Sequence, residues 1–373
     1  MTVRVRSFAK INLGLRIGAT REDGLHELLT VYQTIGLHDV IRVSVGRGNG
    51  IEIRCADPRV PQDESNTCFR IAEKAMRALR VKGRVAIEIE KHLPVQGGLG
   101  GASANAVATL LGLEQALKKS LPLAERLRIA AEVGSDLPLF LVGGTVLGMG
   151  RGEQVYPLPD LPAMDCVVVT PEVGVSTPKA FAEWDRLQGL KPSFSGELNV
   201  ALKGRSSTLA PAVDSHSKKN PPELRSAGQP GAAVPAKISA KLTVSASSDR
   251  MSELGRGLSA WLSEMCSSAP SELLARRGRA ESPLLWLVRA GIENDFEEVV
   301  FPEYPELSGG KSALVRAGAK YASLSGSGST LYGLFASREA SVQATVRLRK
   351  QGWAAQATVT LPRRAYWKRV VAE

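Results

Sequence analysis

Cysteine is scarce. The four in 373 residues stand at 55, 68, 166 and 266, and none forms a Cys-x-x-Cys pair. That leaves a zinc ribbon or redox dithiol without sequence support, and a reducing compartment, the cytoplasm, is expected. Long apolar runs are missing as well. The longest, Leu137–Met149, is broken by Pro138, Gly143, Gly144 and Gly148, too short to cross about 30 Å of hydrocarbon, so no membrane partner is expected. A secretory h-region is not seen at the start. Thr2–Ile17 alternates Val3, Val5, Ala9 and Ile11 with Arg4, Arg6 and Lys10, which reads as a strand. Acidic residues are outnumbered, 37 against 48 Lys and Arg, for a net charge of +11. The excess suits an anionic partner without separating nucleic acid from nucleotide or phosphorylated metabolite. With 43% apolar and 23% charged residues, the chain is no wholly disordered polymer.

From Thr2 to about Leu158, strand-like runs (Val3–Ile17, Val40–Val45, Gly50–Cys55, Val85–Ile89) alternate with helical ones (Cys68–Arg80, Ala104–Leu117), predicting a mixed α+β domain. A strand over Asp165–Thr170 and a helix follow. From 191 to about 250 the chain turns rich in Ser, Pro, Ala, Lys and Gly and poor in large apolar residues, the composition of a flexible insertion. Beyond it, Met251–Met265 and Pro283–Ala290 resume a structured texture. Lys320–Phe335 reads as strand–turn–strand, Val342–Gln351 as a helix and Ala354–Val371 as a last strand and tail. No internal repeat is visible.

The most specific segment is Lys91-His92-Leu93-Pro94-Val95-Gln96-Gly97-Gly98-Leu99-Gly100-Gly101-Ala102-Ser103-Ala104-Asn105-Ala106. Its glycines let the backbone approach an anion closely, and the helical pattern begins directly after it, aiming free N–H groups and the positive dipole end into the loop. It lacks the GxxxxGK[ST] order of a P-loop and the βαβ context of a dinucleotide fingerprint. On glycine content alone, a tight packing turn is an equal reading.

Two further segments break the tie. Ser7-Phe8-Ala9-Lys10-Ile11-Asn12-Leu13 stands near the start, and Leu324-Ser325-Gly326-Ser327-Gly328-Ser329-Thr330 near the end. In this order, with the glycine loop between them, the three resemble the motifs of the GHMP small-molecule kinases. Arg21-Glu22-Asp23-Gly24-Leu25-His26-Glu27-Leu28, Gly134-Ser135-Asp136-Leu137-Pro138 and Asn294-Asp295-Phe296-Glu297 resemble the branch acting on 4-diphosphocytidyl-2-C-methyl-D-erythritol, of the non-mevalonate isoprenoid route. The resemblance covers nearly everything outside roughly 188–280.

The resemblance implies a two-domain α+β fold: an N-terminal ribosomal-protein-S5-like domain over 1–158 and a C-terminal ferredoxin-like domain over 159–373 that carries the insertion. It implies ATP and magnesium, a small-molecule acceptor, no nucleic-acid partner, and a monomer or homodimer. Asp136 takes the place of the catalytic base and Lys10 of its cationic partner; by itself, without the other motifs, Asp136 reads first as a cap of the turn before Pro138. Residues 94–104 take the ATP phosphates, with Ser103 beside the magnesium, and Ser325, Gly326, Ser327 and Gly328 form the second glycine loop. Asn12, Leu25, His26, Thr177 and Phe181 fall at substrate positions. Leu25 departs from the pattern, since the family usually has an aromatic there to stack on the cytosine, a contact worth about 1–3 kcal/mol. Phe181 reads equally as a core residue. Gln96, Ala102 and Ala104 are lesser departures, and Ala102 matters if its backbone needs positive φ. Another alcohol, such as homoserine or a mevalonate derivative, remains an alternative acceptor, and a non-catalytic polyanion-binding protein a third reading.

Overall fold

The structure, a computed structural model, describes residues 2–95, 97–189, 251–252, 255–256, 258–259 and 293–370. Gln96, the insertion and most of the two segments predicted after it lie outside the described residues.

Two sheets and their helices make the fold. In the first, β1 (Thr2–Thr20) and β2 (His26–Gly46) form one long antiparallel hairpin. The far edge of β2 pairs with β4 (Arg84–Glu90) over its second half and with β5 (Thr145–Met149) over its first. β3 (Gly50–Cys55) joins β4 in parallel, and β6 (Gln154–Pro157) joins β5. The second sheet is antiparallel in the order β10 (Ala355–Val359), β7 (Asp165–Val169), β9 (Leu331–Phe335), β8 (Tyr321–Leu324).

Helices α1 (Thr67–Ala78), α2 (Gly101–Leu117), α3 (Leu123–Val133) and α4 (Leu137–Val142) share a core with the first sheet. The other face of β1 and β2 packs on β7 and β9 through Ile11, Leu13, Val31, Ile35, Val168 and Tyr332. The far face of the second sheet is closed by α5 (Thr177–Leu187), α6 (Phe296–Glu303), α7 (Pro305–Arg316) and α8 (Arg338–Lys350). Buried on both faces, β1 and β2 can be apolar almost throughout, unlike a half-solvated strand.

A bulge in β1 decides which of its side chains meet the helices. Val3 and Val5 face them, but the register slips between Phe8 and Lys10, after which Ala9, Ile11 and Leu13 face the second sheet. The slip carries Lys10 and Asn12 to the helix side, where the glycine loop lies.

The structure departs from expectation in the start of β2, in several added elements and in the tail. β2 begins at His26 rather than near Val40, because its first half is buried by β1, β5 and the second sheet instead of by local alternation. Strands β5 and β6 and helices α3, α4, α6 and α7 are additional to the predicted elements; α4 is a single short turn and a half held by its neighbours. The tail is α9 (Arg363–Val370), whose Tyr366 and Val370, four apart, enter the first core. No helix among the described residues is long and apolar enough to cross a membrane.

Candidate active site

A cleft of about 570 Å³ runs past the glycine loop, lined by Lys10, Asn12, Tyr32, residues 97–103, Asp136, Arg151, Thr177, Phe181, Gly326 and Ser327, among others. Among the described residues, Asp136 is the one acidic side chain lining it, beside several cations: Lys10, Arg59, Lys91 and Arg151.

At its centre, Lys10 is 3% exposed, and its Nζ lies 3.4 Å from Asp136 Oδ2. The same ammonium donates to Asn12 Oδ1 at 2.6 Å and sits 5.5 Å from the Tyr32 ring centroid. The Asn12 amide is oriented by a relay: Nδ2 donates to Thr30 Oγ1 (2.8 Å), which donates to Gly14 O (2.7 Å). Asn12 therefore turns its oxygen to Lys10. Asp136 immediately precedes α4, yet its carboxylate makes no capping bond there. It accepts instead from Tyr32 Oη at 3.0 Å. Burial first, and the neighbouring Asp136 charge second, push the Tyr32 hydroxyl well above its ordinary pKa, so it stays a donor at neutral pH.

Facing this pair is the start of α2. Its N-cap, Gly100, offers no side-chain acceptor, and no acidic residue stands in its first turn. The first N–H groups of a helix have no intrahelical partner, so here they open onto the cleft with the positive end of the dipole behind them. Gly100 adopts φ +68°, and a Cβ on it would lie 3.0 Å from both Lys10 Cγ and Phe140 Cζ. Glycine is what lets the anion loop close on the lysine. Ala102 lies inside the helix and needs no positive φ, so its replacement of glycine is harmless to the backbone. Ser103 lines the cleft in the first turn, while Ala104 is buried beneath it. Pro94 and Val95 line the cleft before the loop.

The loop is held from two sides. Asp39, fully buried, accepts from Lys91 Nζ (2.7 Å), the His92 and Leu93 amides (both 2.7 Å) and Asn105 Nδ2 (2.9 Å), tying β2 and the loop entrance to α2. From the second sheet, Ser325 Oγ donates to Gly98 O (3.0 Å), and the Thr330 amide donates to Gly97 O (3.1 Å). Gly326 and Ser327 reach the cleft; Ser325 is buried and Gly328 turns the loop behind them. The Asn-Asp-Phe-Glu segment braces this second loop: Asn294 Nδ2 donates to Leu324 O (2.9 Å) and Gly326 O (2.7 Å), and buried Asp295 pairs with Arg16 of β1 at 2.7 Å.

Farther along, Thr177 Oγ1 and Ser327 Oγ are 2.7 Å apart. Phe181 lines the cleft with Leu15, Leu28 and Phe296, and its ring stacks on His26 (centroids 4.9 Å apart, 3° between planes). His26 is buried, with Nδ1 3.3 Å from Gly18 O and Nε2 3.2 Å from Asp185 Oδ1. Leu25 is 43% exposed and outside the cleft lining. The structure thus gathers Lys10, Asn12, the glycine loops, Asp136, Thr177 and Phe181 around one cleft, with His26 behind Phe181 and Leu25 apart. Tyr32, Asp39 and Arg151 join the site without a sequence-based expectation, and Lys91, which opens the glycine segment, joins it without an expected role. Only Arg151 carried a signal, a cation between two glycines in Gly150-Arg151-Gly152.

Comparison with known proteins identifies the family. The family model for the GHMP kinases N terminal domain matches residues 66–144, and that for the GHMP kinases C terminal matches 279–352. A 4-diphosphocytidyl-2-C-methyl-D-erythritol kinase of Solibacter usitatus (strain Ellin6076) is 32% identical over 370 residues, 99% of this chain and 93% of the relative. A crystal structure of 4-(cytidine 5'-diphospho)-2C-methyl-D-erythritol kinase matches with a TM-score of 0.62 at 25% identity, covering 96% of this chain and 98% of that one. Homoserine kinase from Cytophaga hutchinsonii shares the fold, with a TM-score of 0.58 at 18% identity over 97% of this chain and 95% of that one. With both family domains present and a relative aligned over nearly its whole length, the chain belongs to the GHMP kinase family, in its 4-diphosphocytidyl-2-C-methyl-D-erythritol kinase branch.

Proposed function

We propose that the chain transfers the γ-phosphoryl group of ATP to a hydroxyl of 4-diphosphocytidyl-2-C-methyl-D-erythritol. The observation that carries this reading is the Lys10–Asp136 pair, 3.4 Å apart, facing an uncapped helix start across Gly100. An anion seated on the first amides of α2 points its terminal phosphate at that pair. The acceptor hydroxyl enters between phosphate and pair and gives its proton to Asp136 as the new O–P bond forms and the bond from the γ-phosphorus to the bridging oxygen breaks, releasing ADP. Lys10, 3.4 Å from the carboxylate, orients it and offsets charge building on the transferred group. The purine end of ATP fits the apolar stretch of the cleft beyond the loop, where Val60, Pro61 and Ile89 lie. Cys68 also lines that stretch; burial pushes its thiol up to about 12, which makes it an inert wall.

Among the described residues no cluster of three His, Cys, Asp or Glu side chains is arranged for a metal. That fits magnesium, which keeps phosphate and water ligands and takes one or two from protein. Ser103 would be its hydroxyl ligand, and the ion would neutralise charge on the β- and γ-phosphates.

The acceptor spans the remaining distance. Its base lies toward Phe181 and Thr177 and its alcohol at Asp136, which leaves the diphosphate near Arg151. This guanidinium lines the cleft, and its charge helps hold the Asp23 carboxyl below the usual range, after the Leu25 amide and Arg21. Arg151→Gln is expected to raise KM for the cytidylyl substrate about tenfold and leave KM for ATP unchanged, in steady-state kinetics. An equal rise in both would remove Arg151 from acceptor binding.

The test of the whole reading is ADP release from ATP and magnesium with three acceptors. Turnover is expected with diphosphocytidyl-methylerythritol and not with homoserine or mevalonate. Turnover with either of the others would move the chain to a different alcohol; silence with all three would favour the polyanion-binding alternative.

A further inference from the structure

The helix that carries the base gives up a stabilising device. An Asp before a first turn commonly caps it, and here the carboxylate is turned into the cleft instead. α4 has only six residues, far below the length at which a helix holds itself together. Its stability must come from elsewhere.

It comes from the end of the chain. Tyr366 Oη, on α9, donates to Phe140 O at 2.7 Å in a buried bond, and Trp367 Nε1 donates to Val142 O at 3.0 Å. With the Gly143 amide on Leu139 O (2.8 Å), three of the last four α4 carbonyls are satisfied, two of them by side chains more than 220 residues away. Arg363 extends the clamp onto Gly143 O (3.1 Å) and Thr145 O (2.8 Å), while its own amide is anchored by Asp160 Oδ2 (2.8 Å). Phe140 also touches the anion loop, since its ring tip closes on Gly100.

We propose that Tyr366 and Trp367 are positioning residues: from the C-terminal helix they hold α4, and through it Asp136, in line with the phosphate loop. This rests on Asp136 being the base. A misplacement of about 1 Å in a reacting group can cost on the order of 10² in rate, and a partial loss of the clamp should cost less.

The test uses the full chain with Tyr366→Phe, which keeps the ring and removes the donor, Trp367→Phe, and Tyr366→Phe combined with Asp136→Asn. Leu348→Val, in the core under the second sheet, supplies a destabilised control away from the site. Tyr366→Phe is expected to lower kcat about tenfold with both KM values within about twofold of wild type, and Trp367→Phe somewhat less. Leu348→Val should lose thermal stability and keep kcat. In the Asp136→Asn background, Tyr366→Phe should cost nothing further, because its effect passes through the carboxylate. The proposal is overturned if Tyr366→Phe and Trp367→Phe keep the wild-type kcat, or if the tenfold loss persists in the Asp136→Asn background. Normal turnover by Asp136→Asn alone would instead overturn the assignment of the base.

Discussion

Asp136→Asn should fold normally and turn over on the order of 10²–10⁴ more slowly, the range lost when a general base is removed. The side chain is 32% exposed and caps nothing, but its charge faces buried Lys10, so a modest fall in melting temperature is expected. An amide keeps the shape, and its oxygen still accepts from Tyr32. What disappears is the capacity to take a proton from the acceptor alcohol. The loss should fall on kcat, with KM for ATP and for the alcohol near wild type, since an interaction that develops only in the transition state leaves ground-state binding alone. Thermal melting and steady-state kinetics on the same preparation separate the outcomes. A melting temperature and a turnover both near wild type would exclude Asp136 from the chemistry.

Gly98→Ala should be the most damaging single-methyl change in the cleft. Gly98 has φ +76°, and a Cβ there would stand 2.2 Å from Ser325 O and 3.0 Å from Gly328 O. Both obstacles are backbone of the second glycine loop, which cannot swing aside as a side-chain tip could. Forcing them apart breaks the Ser325 Oγ to Gly98 O bond and the Thr330 amide to Gly97 O bond, so the cradle loses its support from the second sheet. Overpacking of this kind costs about 1–3 kcal/mol, with the positive φ adding about 1 kcal/mol or more. Activity should fall below detection while a folded core persists. Gly101→Ala is the contrast. It sits in α2, where a Cβ would meet nothing closer than 3.5 Å, so melting temperature should hold or rise. Equal melting temperatures for the two variants would mean the loops are not pressed together as described.

Much of this site was legible in the sequence because glycines in a row followed by a helix suit an anion, and the Lys10 and Ser325–Gly328 segments, standing in order around them, separate that reading from a packing turn. The strand of Lys10 was equally readable, although the bulge that turns Lys10 and Asn12 to the helix side was not. A one-residue slip leaves no mark in alternation once both faces are buried. Tyr32 and Asp39 were invisible for a related reason. Each lies in β2, whose first half is covered by other strands rather than by any local periodicity. α4 and α9 escaped because neither is stable alone. Each exists through the other, across more than 220 residues, and no window of sequence contains both. Leu25 shows the opposite case, a departure visible in the sequence whose position, exposed and outside the cleft lining, sets it apart from the Lys10–Asp136 pair.

The most direct measurement is a crystal structure of the chain with a non-hydrolysable ATP analogue and diphosphocytidyl-methylerythritol. The account predicts the phosphates on the first amides of α2, and the acceptor hydroxyl between the terminal phosphorus and the Asp136 carboxylate, about 3–3.5 Å from the phosphorus. Phosphates bound away from Gly100–Ser103, or an alcohol on the far side of the nucleotide from Lys10 and Asp136, would contradict it.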